Sequence, residues 1–240
     1  MQNRYHFARF AHCFGENMHE VLSLFPSQVL RVTWPDAAEF APGLIAEVLQ
    51  LRQQLPSASK TNVGGWHSPS VLQERPEPAI SRFVSQIPAH LSVWAQHYFA
   101  IDTPLDPSLW QLEVWANCNE TGHFNKAHDH FRSGVVVSGF YYLRCGGDDV
   151  GGETVFINQQ SCPLNIHSPV PLREQSFSVT PQDGDMYIFP SWLGHRVNPY
   201  RGSATRISLA FNASHPALQV VKKTDKPRFS AIRKILRKIS

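Results

Sequence analysis

The order of patterns along this 240-residue chain predicts an α+β domain with a β-sandwich or jelly-roll core. Two observations carry that prediction. Before about residue 100, apolar residues recur at the helical period in two long stretches. After about residue 108 the pattern changes to short extended segments separated by turns, the signature of a many-stranded antiparallel domain. With 42% hydrophobic and 17% charged residues, the body has the composition of a chain that buries a core.

Residues 1–25 read as an N-terminal extension, in which "ENMHEVLSLF" predicts a short helix ended by Pro26. The domain proper is expected over 26–215, followed by a basic tail over 216–240. "SQVLRVTW" (27–34) is rich in β-branched and aromatic residues and reads as an opening strand. "PGLIAEVLQLRQQL" (42–55) puts Leu44, Ile45, Val48, Leu49 and Leu51 at helical spacing, with Pro42 at the helix start. "SKTNVGGWHSPSVL" reads as a loop. "EPAISRFVSQIPAHLSVWAQHYFA" is again helical, with a break or kink expected at Pro88. The expected strands are "WQLEVWANC", "SGVVVSGFYYLRC", "GETVFIN", "QSFSVTP", "DMYIFPSW", "HRVNPY" and "TRISLAFN". No internal repeat is visible.

The net charge of +3 is unevenly spread. From Lys222 to Ser240 there are eight basic residues against one acid, a net +7, which leaves −4 for the remainder. A basic tail on an acidic body gives no reason to expect a nucleic-acid-binding core. Ile232, Ile235, Leu236 and Ile239 fall on one helical face of that tail. It reads as a loosely attached basic helix or as a docking element for an acidic carrier protein or another anionic surface. Cys13, Cys118, Cys145 and Cys162 are widely spaced and form no C-x-x-C pair, which fits reduced thiols in a cytoplasmic protein. The first twenty residues make a poor secretory signal, and no run approaches a membrane span.

The chemistry concentrates in "KAHDHFRSG" (126–134). On a strand, residues i and i+2 point the same way, so His128 and His130 can reach one ion together while Asp129 faces away. A one-residue slip would exchange Asp129 and His130. A third ligand must come from elsewhere, and His195 in "FPSWLGHRV" is the best candidate, with Glu120, His123 and Asp129 as substitutes. Arg206 and Ser208 share a strand face in "TRISLAFN"; a guanidinium and a hydroxyl aimed inward suit a carboxylate. Trp115 and Asn117 share another face. Trp115, Trp192, Phe124 and Phe131 are candidates to wall the cavity.

These pieces, in order, resemble a known family. "VWAN", "GHFNKAHDH", "SGFYYL", "GGETVF", "DGDMYIFPSWLGHRV" and "TRISLAFN" are similar to the iron(II)- and 2-oxoglutarate-dependent oxygenases, within a bacterial branch that looks like the prolyl hydroxylases. The resemblance covers roughly 108–212, and the "TNVGGWHS" region more loosely, and implies a double-stranded β-helix, with Fe(II) bound at its open end by His128, His130 and His195. His130 falls where the wider family has a carboxylate. Arg206 falls on the residue that binds the far carboxylate of 2-oxoglutarate, with Ser208 as helper. Tyr142 falls on a tyrosine that binds the same carboxylate, and Asn117 on a contact for the near one. The implied reaction consumes O2 and 2-oxoglutarate, hydroxylates a small-molecule or carrier-bound substrate, and releases succinate and CO2. Two other readings stay open: a three-histidine dioxygenase or isomerase that uses no oxo acid, and a non-catalytic jelly-roll binding module. "TNVGGWHSPSVLQERPEP" and "NQQSCPLNIHSPVPLREQ" have the length of lids that would select substrate.

Overall fold

The computed structural model describes residues 9–14, 17–22, 27–131, 135–159 and 176–218. The basic tail beyond 218, with Ile232, Ile235, Leu236 and Ile239, lies outside the described residues, as does most of the second candidate lid. The described elements, in chain order, are β1 (Arg9–Phe14), β2 (Asn17–Leu22), β3 (Leu30–Thr33), α1 (Ala37–Gln54), β4 (Asn62–Val63), β5 (Trp66–His67), α2 (Pro78–Tyr98), β6 (Gln111–Asn119), β7 (Phe124–His128), β8 (Val137–Arg144), β9 (Thr154–Ile157), β10 (Ser176–Val179), β11 (Asp185–Pro190), β12 (His195–Val197) and β13 (Arg206–Ser214).

Two antiparallel sheets form a double-stranded β-helix. One has the order β3-β11-β8-β13-β6-β5 and the other β10-β9-β12-β7-β4. The strand period of two sorts the side chains. On β13, Ile207, Leu209 and Phe211 are fully buried on the face toward the helices, while Arg206, Ser208, Ala210 and Asn212 face the barrel interior. On β6, Val114, Ala116 and Cys118 join the helix-side core, while Glu113, Trp115 and Asn117 face the interior. The helices cover the outer face of the larger sheet with Leu44, Val48, Leu51, Ile80, Phe83, Ile87 and Leu91. Trp34 ties the layers together, with its ring 5.4 Å from Phe83 and 5.1 Å from Tyr141.

Four expectations need correction. The segment read as an N-terminal helix is β2, paired with β1 from Phe14↔Asn17 to Arg9↔Leu22, because a partner strand satisfies backbone groups that a lone short helix leaves open. α1 begins at Ala37, so Pro42 lies inside the helix and not at its start. Packing of Phe40 and Leu44 against the sheet outweighs the one backbone bond that Pro42 cannot donate. No break occurs at Pro88, since α2 runs through it from Pro78 to Tyr98. The stretch read as a Gly-rich loop carries β4 and β5, one in each sheet, joined by Gly64 and Gly65 at φ of 67° and 69°. No helix among the described residues is long and apolar enough to cross a membrane.

Candidate metal and cosubstrate site

His128, His130 and His195 converge inside the barrel, each offering a ligand atom within 4.8 Å of the others. β7 and β12 pair directly, with His128 opposite His195, so the two rings stand side by side at 4.4 Å. β7 ends at His128, and His130 occupies a bend beyond it. It joins the cluster because its backbone N–H donates to the Ser191 carbonyl at 2.8 Å in the turn after β11. Strand alternation is therefore not what orients His130. Its ring lies 5.1 Å from His128 and 5.3 Å from His195.

The tautomers follow from backbone contacts. Nδ1 of His128 lies 2.8 Å from the Lys126 carbonyl, and Nδ1 of His195 lies 3.0 Å from the Leu193 carbonyl. A carbonyl accepts only, so Nδ1 carries the proton in each ring and Nε2 keeps its lone pair for an ion. Burial, with a further push from neighbouring His128, lowers His195 to about 3 and His130 to about 4. Burial also lowers His128. Three neutral imidazoles are the form a divalent transition metal requires. Asp129 is exposed, and its carboxylate accepts from the Phe131 N–H at 3.2 Å. Glu120 is bound to Arg52 and Thr205, and His123 accepts from the Glu120 N–H, so neither joins the cluster.

The triad opens on a cavity of about 340 Å³ that also holds Arg206, Ser208, Asn117, Trp115 and Thr154. Arg206 is 2% exposed, and no carboxylate among the described residues pairs with it. Its contacts are long, 3.4 Å to Ser208 Oγ and 3.5 Å to Asn119 Oδ1, and its Nε has no partner. A buried guanidinium left this way is costly unless an anion completes it. Gly152, at φ 76°, makes room for it, since a Cβ there would meet Arg206 Cδ and Nε at 2.7 Å. Tyr142 is fully buried with its ring 5.3 Å from the guanidinium carbon. Its hydroxyl donates to Thr154 Oγ1 at 2.9 Å and accepts from the Thr154 N–H at 3.0 Å. Tyr142 thus meets Arg206 through its ring face, while its hydroxyl is engaged with β9.

Of the aromatic residues expected to wall the cavity, only Trp115 lines it. Trp192 Nε1 donates to Tyr98 at 3.2 Å, Phe131 is 54% exposed, and Phe124 sits on β7 opposite Val63. Phe140 and Phe189 take their place. Sequence reading also missed His67, which is 5% exposed, lines the cavity and stacks on Trp115 at 5.6 Å. Alternation across Trp66-His67 was the available signal: Trp66 enters the helix-side core and His67 faces the other way.

Fold and site together define a double-stranded β-helix with a candidate three-histidine metal centre beside a buried guanidinium. Residues 113–212 match the family model described as "Putative 2OG-Fe(II) oxygenase". Among solved structures, the chain is similar to a prolyl-4-hydroxylase from Pseudomonas putida, at 18% identity and a TM-score of 0.57, covering 79% of this chain and 93% of that one. It is also similar to a prolyl hydroxylase from Trichoplax adhaerens, solved with a hypoxia-inducible-factor peptide, at 16% identity, TM-score 0.57 and coverages of 79% and 84%. HygX from Streptomyces hygroscopicus, with nickel and 2-oxoglutarate bound, aligns at 12% identity, TM-score 0.55 and coverages of 79% and 83%. No curated protein matches the chain.

Proposed function

We propose that this protein is a 2-oxoglutarate-dependent hydroxylase in which His128, His130 and His195 hold Fe(II) and Arg206 anchors 2-oxoglutarate. The reading is carried by one observation: a triad of neutral imidazoles shares a cavity with a buried guanidinium that has no carboxylate partner. Loaded with iron and the oxo acid, the site supplies O2 activation coupled to decarboxylation. Overall, R–H, O2 and 2-oxoglutarate become R–OH, succinate and CO2.

The protein's own part is binding and exclusion. Arg206 takes the far carboxylate through its guanidinium Nη groups, and Ser208 adds a hydroxyl donor. The Tyr142 ring supports the guanidinium from one face, and the Tyr142–Thr154 bonds hold that ring still. Asn117, on the same β6 face as Trp115, contacts the near carboxylate. Phe140, Phe189 and Trp115 restrict water around the reacting atoms. With no carboxylate in the triad, an Fe(II) ion keeps its +2 charge, which the cosubstrate dianion neutralises. The oxo-acid-free reading leaves a buried cation at Arg206 without a counter-charge.

The test is an anaerobic titration of Fe(II)-loaded protein with 2-oxoglutarate, followed by exposure to O2 and assay of succinate. Saturable binding and succinate release are expected. Binding without any succinate would leave a ligand-binding module, and O2 uptake independent of 2-oxoglutarate would leave the oxo-acid-free enzyme.

A further inference from the structure

The cavity lining is chemically uneven. 2-Oxoglutarate is a dianion with only acceptor atoms at neutral pH, so its partners must be donors, cations and the metal. Arg206 and Ser208 on β13 and Asn117 on β6 offer such groups next to one another, with Ser208 directly opposite Asn117. His67 has the opposite polarity. Its Nδ1 lies 2.6 Å from the Ser68 carbonyl oxygen, which places the proton on Nδ1 and leaves Nε2 as an acceptor. Pairing of Trp66 and His67 with Cys118 and Asn117 fixes the backbone. Stacking on Trp115, with ring planes 12° apart, fixes the imidazole. The ring lines the cavity, and no donor among the described residues reaches Nε2.

β5 lies two strands from β13 in the sheet, so the His67 and Arg206 backbones are separated by roughly 10 Å across the strands. A cosubstrate anchored on Arg206 and the triad has no donor to offer there. A second acceptor, the Glu113 carboxylate, lies on the same β6 face two positions before Trp115.

We propose that His67 is a specificity-determining residue whose Nε2 accepts a hydrogen bond from an O–H or N–H group of the primary substrate. The enzyme then selects donor-bearing molecules over analogues of the same shape that lack the donor, because those leave a buried acceptor unpaired. This rests on the reading of Arg206 as the 2-oxoglutarate anchor.

The experiment uses anaerobic, Fe(II)-loaded wild type, His67→Phe and His67→Asn. Each is first titrated with 2-oxoglutarate. The binary complexes are then screened by thermal shift against alcohols and secondary amides, each paired with its O- or N-methylated counterpart. His67→Phe keeps a flat ring on Trp115 and removes the acceptor; His67→Asn keeps an acceptor and guards against a Phe variant that fails to fold. Donor-bearing compounds should raise the wild-type melting temperature. They should bind about tenfold more weakly after methylation or in His67→Phe, with partial recovery in His67→Asn, consistent with the loss of one buried hydrogen bond. The 2-oxoglutarate affinity should stay within about twofold across the three proteins. Absence of any wild-type shift, equal binding of methylated and unmethylated partners, or a tenfold loss of 2-oxoglutarate affinity in His67→Phe overturns the proposal. Failure of wild type to bind 2-oxoglutarate overturns it together with the assignment of Arg206, and so separates the two.

Discussion

Single residues carry the chemistry, and two of them answer separate questions. Arg206 combines near-complete burial with an unpartnered Nε and two long contacts. Arg206→Ala should weaken 2-oxoglutarate binding by about a hundredfold, the loss of a charge-assisted pair of hydrogen bonds, as read by calorimetry on the Fe(II)-loaded protein. Arg206→Lys should recover only part of that, since a point charge cannot grip both carboxylate oxygens. The second question is which residue of the His-Asp-His run serves as ligand. His130→Ala should strip the protein of iron on dialysis, whereas Asp129→Ala should retain it, with metal content measured after desalting. The reverse result would show that the ligand is the carboxylate.

At the scale of elements, the site depends on parts that never touch a ligand. β9 begins just beyond Gly152, whose positive φ and missing Cβ let the Arg206 side chain pass behind it. Gly152→Ala should lower 2-oxoglutarate affinity about tenfold although it removes no contacting group, because both backbone strain and a clash displace the guanidinium. Tyr142 bridges β8 to β9 through its two bonds to Thr154. Tyr142→Phe leaves the Thr154 N–H unsatisfied and should cost roughly 1–2 kcal/mol of stability, measured by denaturant unfolding. Its effect on 2-oxoglutarate affinity should be smaller than that of Arg206→Ala. A larger effect would return the hydroxyl to the carboxylate-binding role that family resemblance implies.

For the whole molecule, the buried triad links stability to pH. In the unfolded chain these imidazoles take protons near the ordinary value of about 6.5. In the folded protein His130 and His195 resist protonation until about 4 and 3. Between those limits the unfolded state binds more protons, so stability falls as pH falls. The metal-free protein should lose melting temperature steadily from pH 6.5 toward pH 4, with little change from 7 to 8. Replacing His195 with Phe should flatten that slope. The slope should be at most about 1.4 kcal/mol per pH unit for each imidazole.

By itself, the sequence determined the class of fold, because period-two and helical apolar patterns are local properties of the chain. "TRISLAFN" declares which residues enter the core, and Ile207, Leu209 and Phe211 do so. It also supplied the residues that meet at the centre: His195 and Arg206 sit in segments read as strands, and His128 in the H-x-H run, although β7 itself is not among the expected strands. Only the tertiary structure decided how His130 reaches the cluster, since its orientation comes from a hydrogen bond to Ser191, 61 positions away in sequence. The same holds for His67, which enters the cavity because two glycines carry the chain from one sheet to the other. It also holds for Pro42 and Pro88, tolerated inside helices because burial against a sheet outweighs a missing backbone bond. Local pattern fixes which face of an element is apolar; long-range pairing fixes which polar groups those faces bring together.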